Sequence, residues 1–388
     1  MDTLVNRENE NAVANKQRVE TRFGGVRKPL RGVENKARNV PVKASFKDKA
    51  KVISVAVNAK ENVKVNKLVK TGKVKSEQKE ALETIPTQLL ASLPVVKSEE
   101  VKCPDKLPEN VDDIDSEDKE NPQLVSIYVN DIYRYLWKLE VLFPIKRLHL
   151  QMQPEITGKM RAVLIDWLVQ VHLKFHLLQE TLYLTVSILD RYLQVDYVKR
   201  AELQLVGVTA MFIASKYEEM YAPEVGDFVY ITDNTYTKQE IFKMERKMLR
   251  KLDFNLSKPL HLHFLRRNSK AGNVDATMHA LAKYLMELVL LEYEMSHHSP
   301  SIVAAAALNL SLRLLADFSW NDTLKYFSNY SEEDIMPVVK ALAKIVIRAD
   351  SSKLQAVRAK YASSKLCKIS TIPQLKSSVV KELAGAIK

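Results

Sequence analysis

A row of small residues set among large apolar ones occurs twice in this chain, as LVGVTAMFIASK at 205–216 and, about 97 positions later, as IVAAAALNLSLR at 302–313. Small side chains let a helix approach its neighbours closely, so each copy reads as the central helix of its own bundle. Two similar helical units in tandem, joined near Lys258-Pro259, is the simplest arrangement. Flanking periodicity agrees. From Lys159, Met160, Val163, Leu164, Trp167, Leu168, Val171 and Phe175 follow steps of three and four, which predicts an amphipathic helix with Thr157 and Gly158 as cap positions. Further helices are predicted at 181–193, 203–219, 238–252, 278–293, 301–316 and 331–349, and nothing alternates long enough to form a sheet.

The first 120 residues differ in kind. Their only aromatics are Phe23 and Phe46, and Lys, Asn, Val, Glu and Ala dominate without a sustained period. Such a segment cannot offset the entropy of ordering it, so it reads as a disordered regulatory tail. All three tryptophans and every tyrosine follow the acidic run DDIDSEDKE, which places the boundary near residue 120. The net charge of +12 is unevenly spread: residues 1–80 carry 20 basic against 9 acidic groups, whereas 81–120 carry 4 against 11, the pattern of an interaction tail with two electrostatic halves.

Several classes are disfavoured. The longest apolar run, Ile302 to Leu315, is interrupted by Asn309, Ser311 and Arg313 and reads as a buried helix, not a membrane span. Cys103 and Cys367 show no spacing for a disulfide framework or zinc site, so a reducing compartment is expected, and the start of the chain lacks the apolar stretch of a signal peptide. No Gly-rich phosphate loop, nucleophile elbow, His-Glu-x-x-His or kinase signature occurs, so no catalytic residue, metal or cofactor is assigned. His172, His176 and Glu180 are spaced by four as metal ligands on a helix would be, but a polar helix face is the favoured reading. The pairs His261/His263 and His297/His298 are discounted alike.

Residue by residue, the folded part becomes specific. MRAVLIDWLVQVHLKFHLLQETLYLTVSILDRYL (160–193) and LQLVGVTAMFIASKYEEMYAPEVGDFVYITDNTYTKQE (203–240) resemble the first cyclin box, while HFLRR (263–267) and KYLMELVLLEYEM (283–295) resemble the second box of B-type cyclins. The similarity runs from Tyr128 to the carboxyl end. It implies an all-α fold: two tandem five-helix cyclin boxes, at 121–257 and 258–388, preceded by a short helix at YVNDIYRYL (128–136) and the tail at 1–120.

The resemblance also implies a regulatory subunit, not an enzyme, that binds and activates a mitotic cyclin-dependent kinase. The lysine of ASKYEE, Lys216, and the glutamate of KMERK, Glu245, would grip the kinase's movable regulatory helix, with Phe254, Leu256, Tyr128, Ile132 and Tyr135 as further contacts. A charge pair on an apolar surface fixes register more than it adds affinity, and exposed aromatics suit an interface; an intramolecular salt bridge and core packing are the competing readings. Met160, Val163, Leu164, Trp167, Gln170 and Gln204 match the family's docking patch for Arg-x-Leu peptides, with Gln170 where A-type relatives often carry an acid. Periodicity alone would make that stripe core. Arg266, Arg267, His279 and Lys283 form a basic cluster with the composition of a phosphate pocket, or of a solvated basic face.

In the tail, Arg27-x-x-Leu30 with Asn35 matches the destruction box of mitotic cyclins, with Pro29 favouring an extended backbone before it and Lys36, Lys43, Lys47, Lys49 and Lys51 nearby as ubiquitin acceptors. Lys60-Glu61-Asn62 spells the KEN degron, and Lys119-Glu120-Asn121 repeats it beside the folded boundary. These imply the anaphase-promoting ubiquitin ligase as a partner. Leu82, Ile85, Leu89 and Leu93 have the spacing of an export signal, consistent with shuttling between cytoplasm and nucleus, but local apolar collapse within a disordered tail accounts for them equally well, and no Ser-Pro or Thr-Pro pair occurs in the tail. The cyclin fold also occurs in transcription factors, but the basic excess lies in an aromatic-poor tail, not in a stripe with stacking residues, so direct nucleic-acid binding is disfavoured. A cell-cycle scaffold that activates no kinase would share every motif.

Overall fold

A computed structural model describes residues 107–316 and 319–386; the destruction box (Arg27, Leu30, Asn35), the first KEN (Lys60, Glu61, Asn62) and the export-like leucines lie outside the described residues. The described residues contain helices and turns and no strand. A leading helix α1 (Val129–Leu142) precedes a first bundle of α2 (Gly158–Phe175), α3 (Gln179–Val195), α4 (Leu203–Glu218), α5 (Val225–Ile231) and α6 (Lys238–Lys251). A second bundle follows: α7 (His261–Ala271), α8 (Ala276–Leu291), α9 (Pro300–Leu315), α10 (Asp322–Ser328) and α11 (Glu332–Ala349). Two short helices, α12 (Ala356–Tyr361) and α13 (Ser378–Leu383), close the chain.

The internal repeat is now physical. Its two copies fall on α4 and α9, whose interior-facing positions are almost wholly buried. At Gly207 an added Cβ would lie 2.8 Å from Leu164 of α2, which is why the crossing of α2 and α4 takes a glycine there. The last helix of each bundle starts alike: Thr237 and Glu240 form a capping box on α6, and Ser331 and Asp334 form one on α11. Thr157 caps α2 through the Met160 amide at 3.3 Å, as its sequence predicts.

Two charged ties join the bundles. Arg161 on α2 holds Asp190 of α3 through Nε and Nη2 at 2.6 and 2.7 Å, and its Nη1 reaches across to the Leu290 carbonyl of α8 at 2.9 Å. The second tie seats α12 against both units. Lys360 donates to both carboxylate oxygens of the buried Glu287 at 2.7 and 2.9 Å, Gln179 of α3 donates to the same group, and the Ala356 amide donates to Asp166 of α2 at 2.8 Å.

The acidic run assigned to the tail behaves otherwise. Leu107, Val111 and Ile114 pack against the core, and Asp115 grips Arg267 of α7 with two bonds of 2.6 and 2.7 Å. Lys270 reaches Asp115 at 3.0 Å and also pairs with Asp118, while Asn110 and Asp112 meet Asp322 and Thr323 of α10. Burial pushes the Asp115 carboxyl up, but the bonds and charge of Arg267 and Lys270 outweigh it and hold the group below its ordinary range. Residues 107–118 therefore belong with the folded boxes, because the acids read as tail neutralise two cations on the second bundle. We expect Asp115→Ala to lower unfolding free energy by about 2 kcal/mol, less than a fully buried pair because Asp115 is partly wet. Urea titration checks this, and an unchanged midpoint would reduce this acidic strap, residues 107–118, to a surface contact.

Candidate functional site

Helix α1 docks by its inner face. Trp137 stacks on Phe264 with ring centroids 6.2 Å apart, the Tyr133 hydroxyl donates to the His263 carbonyl at 2.8 Å, and Glu140 accepts from the amide and hydroxyl of Ser301. The outer face is left with Tyr128 (60% exposed), Ile132 and Tyr135 (59% exposed), spaced four and three apart on one side.

Lys216 lies in the last turn of α4 and Glu245 midway along α6, and their side chains form a salt bridge with each other. The lysine Nζ also sits 4.2 Å above the Phe212 ring. The competing reading of an intramolecular pair is thus realised in the free chain, which holds a half-exposed lysine over a nearly buried glutamate. Just past α6, Asp253 and Phe254 adopt positive φ values of 49° and 56°. Left-handed backbone at a bulky residue costs about 1–2 kcal/mol, and here it turns the Phe254 ring into solvent, 67% exposed. Leu256 is half-buried and rests on the core. Arg191, which sequence reasoning missed, connects these parts: its guanidinium lies 4.7 Å over the Phe143 ring at the end of α1 and donates to the Asn255 carbonyl at 2.5 Å. No spacing rule picks Arg191 out of the α3 pattern.

The proposed docking stripe divides into rim and floor. Val163 is 43% exposed and Met160 and Gln170 are half-buried, whereas Leu164, Trp167 (4% exposed) and Gln204 are buried. Gln170 donates its amide to the Asp166 carboxylate at 3.1 Å, the same carboxylate that anchors α12.

In the basic cluster, Arg266 pairs with Glu180, and Arg267 is committed to Asp115. Burial, followed by the fields of Lys283 and Arg266, pushes His279 down to about 3, so its ring is neutral while it shares a 2.8 Å hydrogen bond with the Ser269 hydroxyl. Any phosphate entering there would compete with Glu180. His172 contacts the Leu178 carbonyl at 3.0 Å and His176 is the left-handed cap of α2. Among the described residues no group of three or more His, Cys, Asp or Glu side chains could hold a metal, and no helix is long and apolar enough to cross a membrane. The second KEN is exposed, but Asn121 accepts from the Gln123 amide and Lys119 pairs with Asp113.

Comparison with known proteins matches this architecture. Residues 131–257 fit the family model of the cyclin N-terminal domain and residues 259–375 that of the cyclin C-terminal domain, which divides the chain at the linker between α6 and α7 and makes the fold that of a cyclin. A viral cyclin from herpesvirus saimiri superposes with a TM-score of 0.51 at 22% identity, over 57% of this chain and 96% of that one, a likeness of fold. Over 273 residues the chain is 63% identical to a G2/mitotic-specific cyclin-B of Patella vulgata, covering 70% of this chain and 67% of that protein. It is 51% identical over 353 residues to a G2/mitotic-specific cyclin-B2 of Macaca fascicularis, covering 89% and 87%. The chain belongs to the B-type, G2/mitotic-specific cyclins.

Proposed function

We propose that this cyclin is the activating regulatory subunit of a mitotic cyclin-dependent kinase and drives the G2/M transition. The observation that carries the reading is Phe254: an aromatic ring held in solvent on a strained turn, just past the α6 helix that bears Glu245 of the Lys216–Glu245 pair, is costly unless a partner covers it. Tyr128, Ile132 and Tyr135 on α1 extend the same kind of surface. The chain supplies no reaction chemistry. Its work is a population shift, because it binds better to the kinase conformation whose regulatory helix is turned inward and whose Lys–Glu ion pair is complete. Moving a kinase from about 1% to 99% active takes roughly 5.5 kcal/mol of differential binding, within reach of an extensive interface.

The remaining roles follow from the sequence. Arg-x-Leu peptides on substrates and inhibitors would lie on the rim formed by Met160, Val163 and Gln170, with Leu164, Trp167 and Gln204 as its floor. Arg266, His279 and Lys283 would take a phosphorylated partner if Glu180 yields. Arg27, Leu30 and Asn35, with Lys60, Glu61 and Asn62, would deliver the chain to the anaphase-promoting ubiquitin ligase at mitotic exit, and the leucines at 82–93 would support shuttling between nucleus and cytoplasm. Phosphate transfer to a histone-type substrate by a purified mitotic kinase, with and without the chain, tests the central claim. A rise of orders of magnitude is expected; binding without activation would leave a scaffold, and the absence of both binding and activation would sink the reading.

A further inference from the structure

A cavity of about 40 Å³ lies between the two bundles, walled by α3, the Lys258-Pro259 linker, the start of α7 and the loop before α9. One water needs only about 10–15 Å³ of such volume, so there is room for more than one small particle. Three residues of its wall carry buried polar atoms that have no hydrogen-bond partner among the described residues: the Tyr183 hydroxyl, the Ser187 hydroxyl and Nδ1 of His261. Each such orphan costs about 1–3 kcal/mol if nothing answers it. Tyr183 is 2% exposed and its ring packs on His261 at 5.0 Å.

The charges around this space favour an anion. Lys258 is on the wall, and the two acids whose field it feels are engaged elsewhere. Asp190, also on the wall, is gripped by Arg161, and Glu140 accepts from the amide and hydroxyl of Ser301. Burial, ahead of these charges, pushes Lys258 down to about 8, the behaviour of a cation lacking a full counter-charge. Helix α7 begins at this wall; Nδ1 of His263 accepts from the Leu260 amide at 3.2 Å, and the positive end of the helix dipole adds to the same field. Burial, followed by Lys258, pushes His261 down to about 3, so the imidazole is neutral.

We propose that the cavity between the bundles is a binding site for a small inorganic anion of halide size, held by Lys258, the hydroxyls of Tyr183 and Ser187 and the start of α7, and that this anion ties the two boxes together. The site is independent of the kinase reading. Its test uses the full chain, with thermal unfolding in sodium chloride against sodium gluconate at equal ionic strength, and bromide located by anomalous diffraction. Chloride should raise Tm saturably by a few degrees, gluconate should not, and bromide should occupy the cavity at millimolar concentration. Lys258→Met should abolish the chloride increment. Ser187→Ala, the milder change, should raise the half-maximal chloride concentration about fivefold, the equivalent of one lost hydrogen bond. Equal unfolding in both salts with only water in the cavity overturns the proposal. Bromide seen only at molar concentration with no shift in Tm, an adventitious ion only, overturns it as well.

Discussion

Replacing Lys216 and Glu245 together by alanine should cut kinase activation by about 30- to 1,000-fold, the 2–4 kcal/mol of an interface hot spot, while the cyclin stays folded. The fold survives because the two charges satisfy each other in the free chain, so removing both leaves neither stranded. The single variants should differ. Glu245→Ala leaves Lys216 half-exposed above the Phe212 ring, whereas Lys216→Ala strands a carboxylate with only a tenth of its side chain in solvent. Lys216→Ala is therefore the more destabilising of the two. Phosphate-transfer rates beside calorimetric binding to the kinase decide the matter. Unaltered activation by the double variant would move the interface elsewhere on the molecule.

Asp190→Asn should destabilise the first bundle by about 3–5 kcal/mol, because it leaves Arg161 buried without its counter-charge. The loss has a pH signature. Burial alone would push the Asp190 carboxyl up, but Arg161, with His149 behind it, outweighs burial and holds the group well below the carboxylate range. A depressed folded-state value means that the ion pair contributes fully above the unfolded value of about 3.9 and loses its contribution as pH falls below it. Wild type and Asp190→Asn should thus differ most near pH 7 and converge as the buffer is taken below pH 4. Urea unfolding at both ends measures this; a gap under about 1 kcal/mol at pH 7 would show that Arg161 finds other partners.

Much of this architecture was legible because its signals are local. The apolar steps from Met160 to Phe175, the small-residue rows on α4 and α9 and the cap at Thr157 each act within one or two turns, and the seven helices predicted from the sequence pattern match the structure to within a few residues. Helices α5 and α10 span seven residues each, too short for a period to emerge, and α7 hides its apolar face among the basic and polar residues of HLHFLRRNSKA. Contacts between distant residues were illegible. Periodicity puts Val163 and Trp167 on one stripe but cannot say that one is rim and the other floor. Nor can composition reveal that Asp115 and Asp118 answer Arg267 and Lys270.

That last pairing sets an order of events during synthesis. The strap leaves the ribosome ahead of the entire first bundle, and its receptor, Arg267, lies 152 residues further on. At about 5–20 residues per second, roughly 8–30 s separate the two. Through that interval the polar partners of the segment on α7 and α10 do not yet exist, and the dense carboxylates beside Leu107, Val111 and Ile114 keep it soluble until the second bundle is made. The strap can close only after both boxes exist, so its docking marks the completion of the folded cyclin.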